Sequence, residues 1–218
     1  MIAANIAAAR FLDRSHVPTL YRVHGMPEED RLETLRQFLR EFGLWLPPAG
    51  EVTAQHLRDL LQKLGDRPDA LLVSTAVIRS MPQAVYQPGN IGHFGLALEH
   101  YAHFTSPIRR YPDLVVHRGI RQALQGGDPQ ELVAWHGPFP VLGQDCSFRE
   151  RRADEATRGA VAWLKCYYMQ DRIGEEFEGI VSGVVDFGLF VQLDGLQVDG
   201  LLHVSALGQD YFARDRSG

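Results

Sequence analysis

Ala102-His103-Phe104-Thr105-Ser106-Pro107-Ile108-Arg109-Arg110-Tyr111-Pro112-Asp113-Leu114 is the stretch on which the reading of this chain turns. Ser106 suits a helix N-cap, and Pro107 suits the first helical position, where its missing N–H has no partner to lose. A helix is therefore expected to start at Ser106. Helix N-termini present unpaired N–H donors and the positive end of the macrodipole, both of which favour a phosphate. Arg109 and Arg110 follow within a turn, with the forked geometry that suits phosphate oxygens, and Thr105 and Ser106 add hydroxyls. Pro112 cannot continue the hydrogen-bond ladder, so a kink or a restart is expected just past the arginines. The plainer reading of the same residues is a capped helix with an Arg109–Asp113 or Arg110–Asp113 surface pair. Chemistry alone leaves both open.

The charge distribution makes any phosphate contact local. The 218 residues carry a net charge of −5, which argues against a generically basic nucleic-acid binder. Residues 101–172, however, hold ten basic against eight acidic side chains, whereas residues 173–218 hold two against eight. A 45% apolar content suits a soluble globular protein of one large or two smaller domains. No apolar run is long enough to span a bilayer, and the N-terminus is a poor signal peptide, so no membrane association is expected. Cys146 and Cys166 supply no disulfide framework, as in a reducing cytoplasm.

Upstream of the stretch, His93-Phe94-Gly95-Leu96-Ala97-Leu98 alternates like a strand. Histidines 93, 100, 103 and 117 fit no common metal spacing, and core or hydrogen-bonded roles are expected for them. Further back, an Ala-rich helix over 2–14 and three helices opened by Pro27, Thr53 and Pro68 read as scaffold. Their stripes include Leu32, Leu35, Leu39, Leu57, Leu60 and Leu64. The fourth, rich in Leu, Val and Ile from Leu71 to Ile78, is expected to be well buried. Tyr21-Arg22-Val23-His24 reads as an extended linker.

Downstream, a helix runs from Pro112 to Leu124 and a long one from 145 to 172, its Ala153, Ala156, Ala160, Leu164 and Tyr167 forming one side. Gly174 marks a domain boundary. Beyond it, strands over 177–185, 188–193 and 200–204 with glycines at bends suit a small curved barrel. Phe187 and Phe190 flank a glycine, with His203 nearby on another strand. They either form a stacking platform for single-stranded nucleic acid or fill the barrel, and spacing does not separate the two.

Ile91-Gly92-His93-Phe94-Gly95-Leu96-Ala97-Leu98, together with Tyr101 to Leu114, closely resembles the signature of the RNB (ribonuclease II/ribonuclease R) exoribonucleases, most of all its bacterial ribonuclease R branch. Glu150-Arg151-Arg152-Ala153-Asp154-Glu155-Ala156-Thr157-Arg158 resembles that family's next segment, and Phe177 to Leu207 resembles an S1 RNA-binding domain. The resemblance implies an α+β chain. Residues 1–173 are then the mostly helical C-terminal part of an RNB catalytic domain, and residues 174–218 the first part of an incomplete S1-type OB-fold barrel. It also implies processive 3′-to-5′ hydrolysis of single-stranded RNA to nucleoside 5′-monophosphates, dependent on Mg²⁺, by a cytoplasmic enzyme that is monomeric at full length.

Within that resemblance Arg109 is the catalytic residue, matching the arginine that contacts the phosphate at the cleavage site. Thr105, Ser106 and Arg110 are expected to hold neighbouring phosphates, and Phe187, Phe190 and His203 match RNA-facing positions of the S1 domain. The family's metal-binding aspartate cluster has no counterpart here. Asp13, Asp30, Asp66 and Asp69 are scattered, whereas two-metal chemistry needs converging carboxylates. The chain is thus expected to be an internal piece, ending at Gly218 before the barrel closes and inactive by itself. A non-catalytic single-stranded RNA-binding module and a purely structural fragment are the other readings.

Overall fold

A computed structural model describes residues 1–196 and 198–207. The expected end of the barrel at Gly218 lies outside the described residues. The chain divides into two compact units, Met1–Ala153 and the residues from Asp154 onward.

In the first unit α1 (Ile2–Arg14) is followed by β1 (Tyr21–Val23), α2 (Glu29–Glu41), α3 (Ala54–Leu64), α4 (Ala70–Ser80), β2 (Val85–Gln87), α5 (Tyr111–Gln125) and α6 (Pro129–His136), and α7 (Phe139–Met169) begins. Two apolar clusters form around these elements. One joins Leu12, Leu20, Val23, Tyr86, Val115, Val116 and Leu132. The other joins Leu32, Leu39, Leu57, Val73 and Val77 of α2, α3 and α4. Helix α3 starts as its sequence demands. Thr53 Oγ accepts the His56 N–H at 3.4 Å, and His56 Nδ1 accepts the Thr53 N–H at 3.2 Å, a capping box with histidine in the usual Glu or Gln role.

Three local expectations are corrected. The Tyr21–His24 linker is in fact a strand: β1 pairs antiparallel with β2, Arg22 opposite Tyr86. Helix α4 buries Val73 and Val77 but leaves Leu71 and Ile78 each 66% exposed, because its apolar residues occupy more of the circumference than α2 and α3 cover. The His93–Leu98 segment is a 3-10 turn over Phe94–Leu96 rather than a strand. There the Phe94 and Gly95 N–H groups donate to the His24 carbonyl (2.9 Å) and to His24 Nδ1 (3.0 Å), and Ala97 adopts a left-handed conformation with φ 54°. One main-chain and one side-chain acceptor of His24 thus take the N–H groups that a ladder would have used.

Helix α7 packs on β2 through small residues. A Cβ on Gly143 would lie 2.5 Å from the Tyr86 carbonyl oxygen, so only glycine permits this approach. One turn on, Ser147 Oγ accepts the Tyr86 N–H at 2.9 Å.

In the second unit the remainder of α7 precedes a three-stranded antiparallel sheet, β3 (Gly179–Val185), β4 (Gly188–Leu193) and β5 (Asp199–His203). Among the described residues no helix is long and apolar enough to cross a membrane.

Candidate functional site

The 101–110 segment runs without regular structure between the 3-10 turn and α5, yet it is tied down at several points along its length. Asn5 on α1 bridges it: its Oδ1 accepts the Phe104 N–H at 3.1 Å and its Nδ2 donates to the Tyr101 hydroxyl at 3.1 Å. The Phe104 carbonyl lies 2.8 Å from His117 Nε2 of α5, whose ring stacks on the Phe104 ring at 4.3 Å. His103 Nδ1 is 2.8 Å from the Tyr86 hydroxyl. A loop tied at these points is preorganised, and whatever it presents needs little ordering on binding.

Helix α5 starts at Tyr111, not at Ser106, with Arg110 extended at the cap position and Pro112 in the first turn. The physical reason is Pro112. A helix continuous from Ser106 would place its ring against the carbonyl of Ile108, whereas at the second helical position its missing N–H is no loss. Residues Pro107–Arg109 instead form one isolated turn, closed by the Arg110 N–H donating to the Ser106 carbonyl at 3.1 Å.

At the tip of that turn Ile108 and Arg109 are exposed; the Arg109 N–H donates to the Ser106 carbonyl at 3.3 Å, and its guanidinium pairs with no other described residue. Thr105 and Ser106 are half-buried beside it. The Ser106 N–H is already committed, donating to Asp113 Oδ1 at 2.7 Å. Arg110 is turned inward, its Nη2 donating to the same oxygen at 2.8 Å. The Arg110–Asp113 pair is therefore not on the surface: Asp113 is fully buried.

Behind the loop lies a polar cluster that sequence reasoning missed. The Arg22 guanidinium sits 4.6 Å over the Tyr86 ring and bonds Glu150 at 2.5 Å. Burial, with the nearby Arg110 and Arg22 cations, pushes the His103 imidazole down to about 4. Burial and the neighbouring His24 ring do the same to His93, also to about 4. Burial raises the Tyr86 phenol. The cluster is thus a set of neutral rings around cations, suited to holding shape. The one signal for it in the sequence is the concentration of His and Tyr between 86 and 103, which by itself carries no geometry.

In the second unit Phe187 occupies the tight turn between β3 and β4 and is half-exposed, with its carbonyl accepting the Val204 N–H at 2.9 Å. Register pairs Gly188 with His203 and Phe190 with Leu201, so Phe190 and His203 stand on one face of the sheet. Phe190 is 37% exposed and His203 is exposed. A Cβ on Gly188 would meet the Leu202 carbonyl oxygen at 2.3 Å, so the strands can approach only at glycine. His203 Nδ1 accepts the Ser205 N–H at 3.3 Å. Aromatic rings left open on a sheet can stack on bases.

An RNB domain model matches residues 1–126, and an S1 RNA binding domain model matches residues 170–217. Ribonuclease R of Escherichia coli (strain K12) is 49% identical over all of this chain, and that of Vibrio cholerae 48%. The chain spans 28% of the length of either relative. Among solved structures, Mycoplasma genitalium RNase R in complex with ribose methylated single-stranded RNA superimposes with a TM-score of 0.91 at 26% identity, covering 100% of this chain and 34% of that one. Yeast Ssd1, a pseudonuclease, shares the fold with a TM-score of 0.74 at 23% identity, over 92% of this chain and 25% of that one.

Proposed function

Since the chain belongs to the RNB domain family, we propose that it is part of an exoribonuclease that degrades single-stranded RNA processively from the 3′ end, releasing nucleoside 5′-monophosphates. Residues 1–173 are assigned to the RNB catalytic domain and residues 174–218 to the S1 domain. The relatives named ribonuclease R and the RNA-bound Mycoplasma structure support this reading. The observation that carries it is Arg109, an unpaired and exposed cation at the tip of a turn anchored on both sides. A guanidinium held there neutralises charge that grows on a phosphate during hydrolysis without reorganising. Thr105 and Ser106 complete the phosphate-binding surface, Arg110 supports it with its charge from behind while paired with Asp113, and Phe187, Phe190 and His203 take bases on the sheet. The enzyme is assigned to the cytoplasm and to a monomeric state.

Magnesium is the metal this activity calls for. Among the described residues no three His, Cys, Asp or Glu side chains gather where an ion would sit, and Asp113 is spent on Ser106 and Arg110. The described residues do not fit a magnesium site. The ligands are assigned to residues outside this chain, and the chain by itself is expected to bind RNA without releasing mononucleotides.

The test is a titration of the chain with a single-stranded oligoribonucleotide at several salt concentrations. Binding should weaken with salt, and Arg109→Ala should reduce the slope of log K against log salt by about 0.7, as one lost phosphate contact does on a single strand. An unchanged slope in the variant would remove Arg109 from the phosphate path. Mg²⁺-dependent mononucleotide release by the chain would overturn the assignment of its metal ligands elsewhere.

A further inference from the structure

Three interactions close a ring at the start of α5. The Ser106 N–H donates to Asp113 Oδ1, the Arg110 N–H donates to the Ser106 carbonyl, and the Arg110 guanidinium returns to Asp113 Oδ1. Asp113 is the third residue of α5, the position from which an acidic side chain normally reaches back to its own cap. Here it reaches past the cap, to Ser106. It has no solvent exposure, and a buried carboxylate persists only where donors and a countercharge compensate its desolvation. Its location in the first turn of the helix adds favourable dipole interaction. Asp113 Oδ2 and Arg110 Nε are also buried, with no partner among the described residues. The ring therefore rests on the single oxygen Oδ1, and the turn enclosed by it is the one that carries Arg109.

We propose that Asp113 is a positioning residue for RNA binding: its buried carboxylate ties the Ser106 amide to the Arg110 guanidinium and so sets the Pro107–Arg109 turn that presents Arg109 to a phosphate. This role rests on the RNA-binding reading above. Asp113 touches no substrate in it and acts only through Arg109. Asparagine keeps the shape of the side chain but loses the charge that holds Arg110, leaving a largely shielded guanidinium short of its countercharge.

A double-mutant cycle on the chain tests the coupling. Asp113→Asn is expected to weaken affinity for a single-stranded oligoribonucleotide about tenfold, and by less than about twofold when Arg109 is already alanine. Exchange of the Ser106 amide hydrogen, read by NMR, should accelerate in Asp113→Asn and stay slow in Arg109→Ala. An equal loss of affinity in both backgrounds overturns the proposal, because the effect then does not pass through Arg109. Accelerated Ser106 exchange with unchanged affinity overturns it too, while leaving the RNA reading standing. If Asp113→Asn does not fold by circular dichroism, Arg110→Lys takes its place in the same cycle, since an ammonium lacks the guanidinium fork. An absence of salt-sensitive RNA binding by the unaltered chain is a distinct result. It ends the RNA-binding reading and the positioning role with it, and Ser106 exchange then reports only that the carboxylate holds the turn.

Discussion

Arg22 on β1 and Glu150 on α7 stand 128 residues apart in the sequence and meet at 2.5 Å. Arg22 also lies over Tyr86, its antiparallel partner in register, at 4.6 Å. A single guanidinium thus joins both strands of the small sheet to the long helix behind the 101–110 loop. Both side chains are largely shielded, with relative exposures of 15% and 32%, so removing one partner leaves the other poorly solvated.

Arg22→Ala is accordingly expected to destabilise the first unit by about 2–3 kcal/mol, through loss of a charge-assisted bond and of the cation–π contact. In a cycle with Glu150→Ala, chemical denaturation should return a coupling energy of about 1 kcal/mol or more. Strict additivity would show that the pair contributes nothing beyond its separate members.

Gly143 and Gly159 lie on the same helix and make opposite predictions. Alanine at 143 drives a methyl group into the Tyr86 carbonyl, whereas no other described part of the chain comes within 4 Å of a Cβ at 159. Gly143→Ala should destabilise by about 1–3 kcal/mol, and Gly159→Ala should stabilise by up to about 1 kcal/mol through helix propensity. Thermal melts of the two variants check the pair. A neutral Gly143→Ala would contradict the close approach of α7 to β2.

Folding stability should fall as pH drops from about 6.5 to about 4. His93 and His103 are held near 4 in the folded chain against an ordinary value of 6.5. Between those two values the unfolded chain binds protons that the folded chain refuses, so acid favours unfolding. The contribution is whole above pH 6.5 and is lost through that window. Urea midpoints measured across it, for the chain and for His103→Gln, should show a shallower pH dependence in the variant. Parallel curves would remove His103 from the effect.

Phe187→Ala should weaken single-stranded RNA binding by about tenfold, because base–aromatic stacking is lost. Its salt slope should remain that of the unaltered chain, in contrast to Arg109→Ala, since a ring neutralises no phosphate. The half-exposed ring makes a large change in melting temperature unexpected. A drop in stability without a drop in affinity would assign Phe187 to packing.

The helices were legible because their signals are local. The Thr53 cap and the Leu32–Leu35–Leu39 stripe each act within one or two turns, and α2 and α3 formed where those residues placed them. Strands β3, β4 and β5 fell close to their expected spans for the same reason, bounded by turns at Asp186–Phe187 and near Gly195. The misreadings share an opposite cause. The strand-like 93–98 segment turned on hydrogen bonds to His24, about 70 residues away, and the apparent linker at 21–24 became a strand once β2 arrived beside it.

The site divides along that line. The motif from Tyr101 to Leu114 was enough, by order and residue type, to mark the stretch and its family, because those properties are carried by the side chains themselves. Tertiary structure alone decided which arginine faces outward. Arg109 and Arg110 are adjacent and chemically alike, and nothing in their side-chain chemistry says which one turns outward. Pro112 refused a continuous helix, Asp113 was buried by the packing of α5, and its desolvated carboxylate required a countercharge, which Arg110 supplied. Arg109 was left to the solvent as a consequence of that burial.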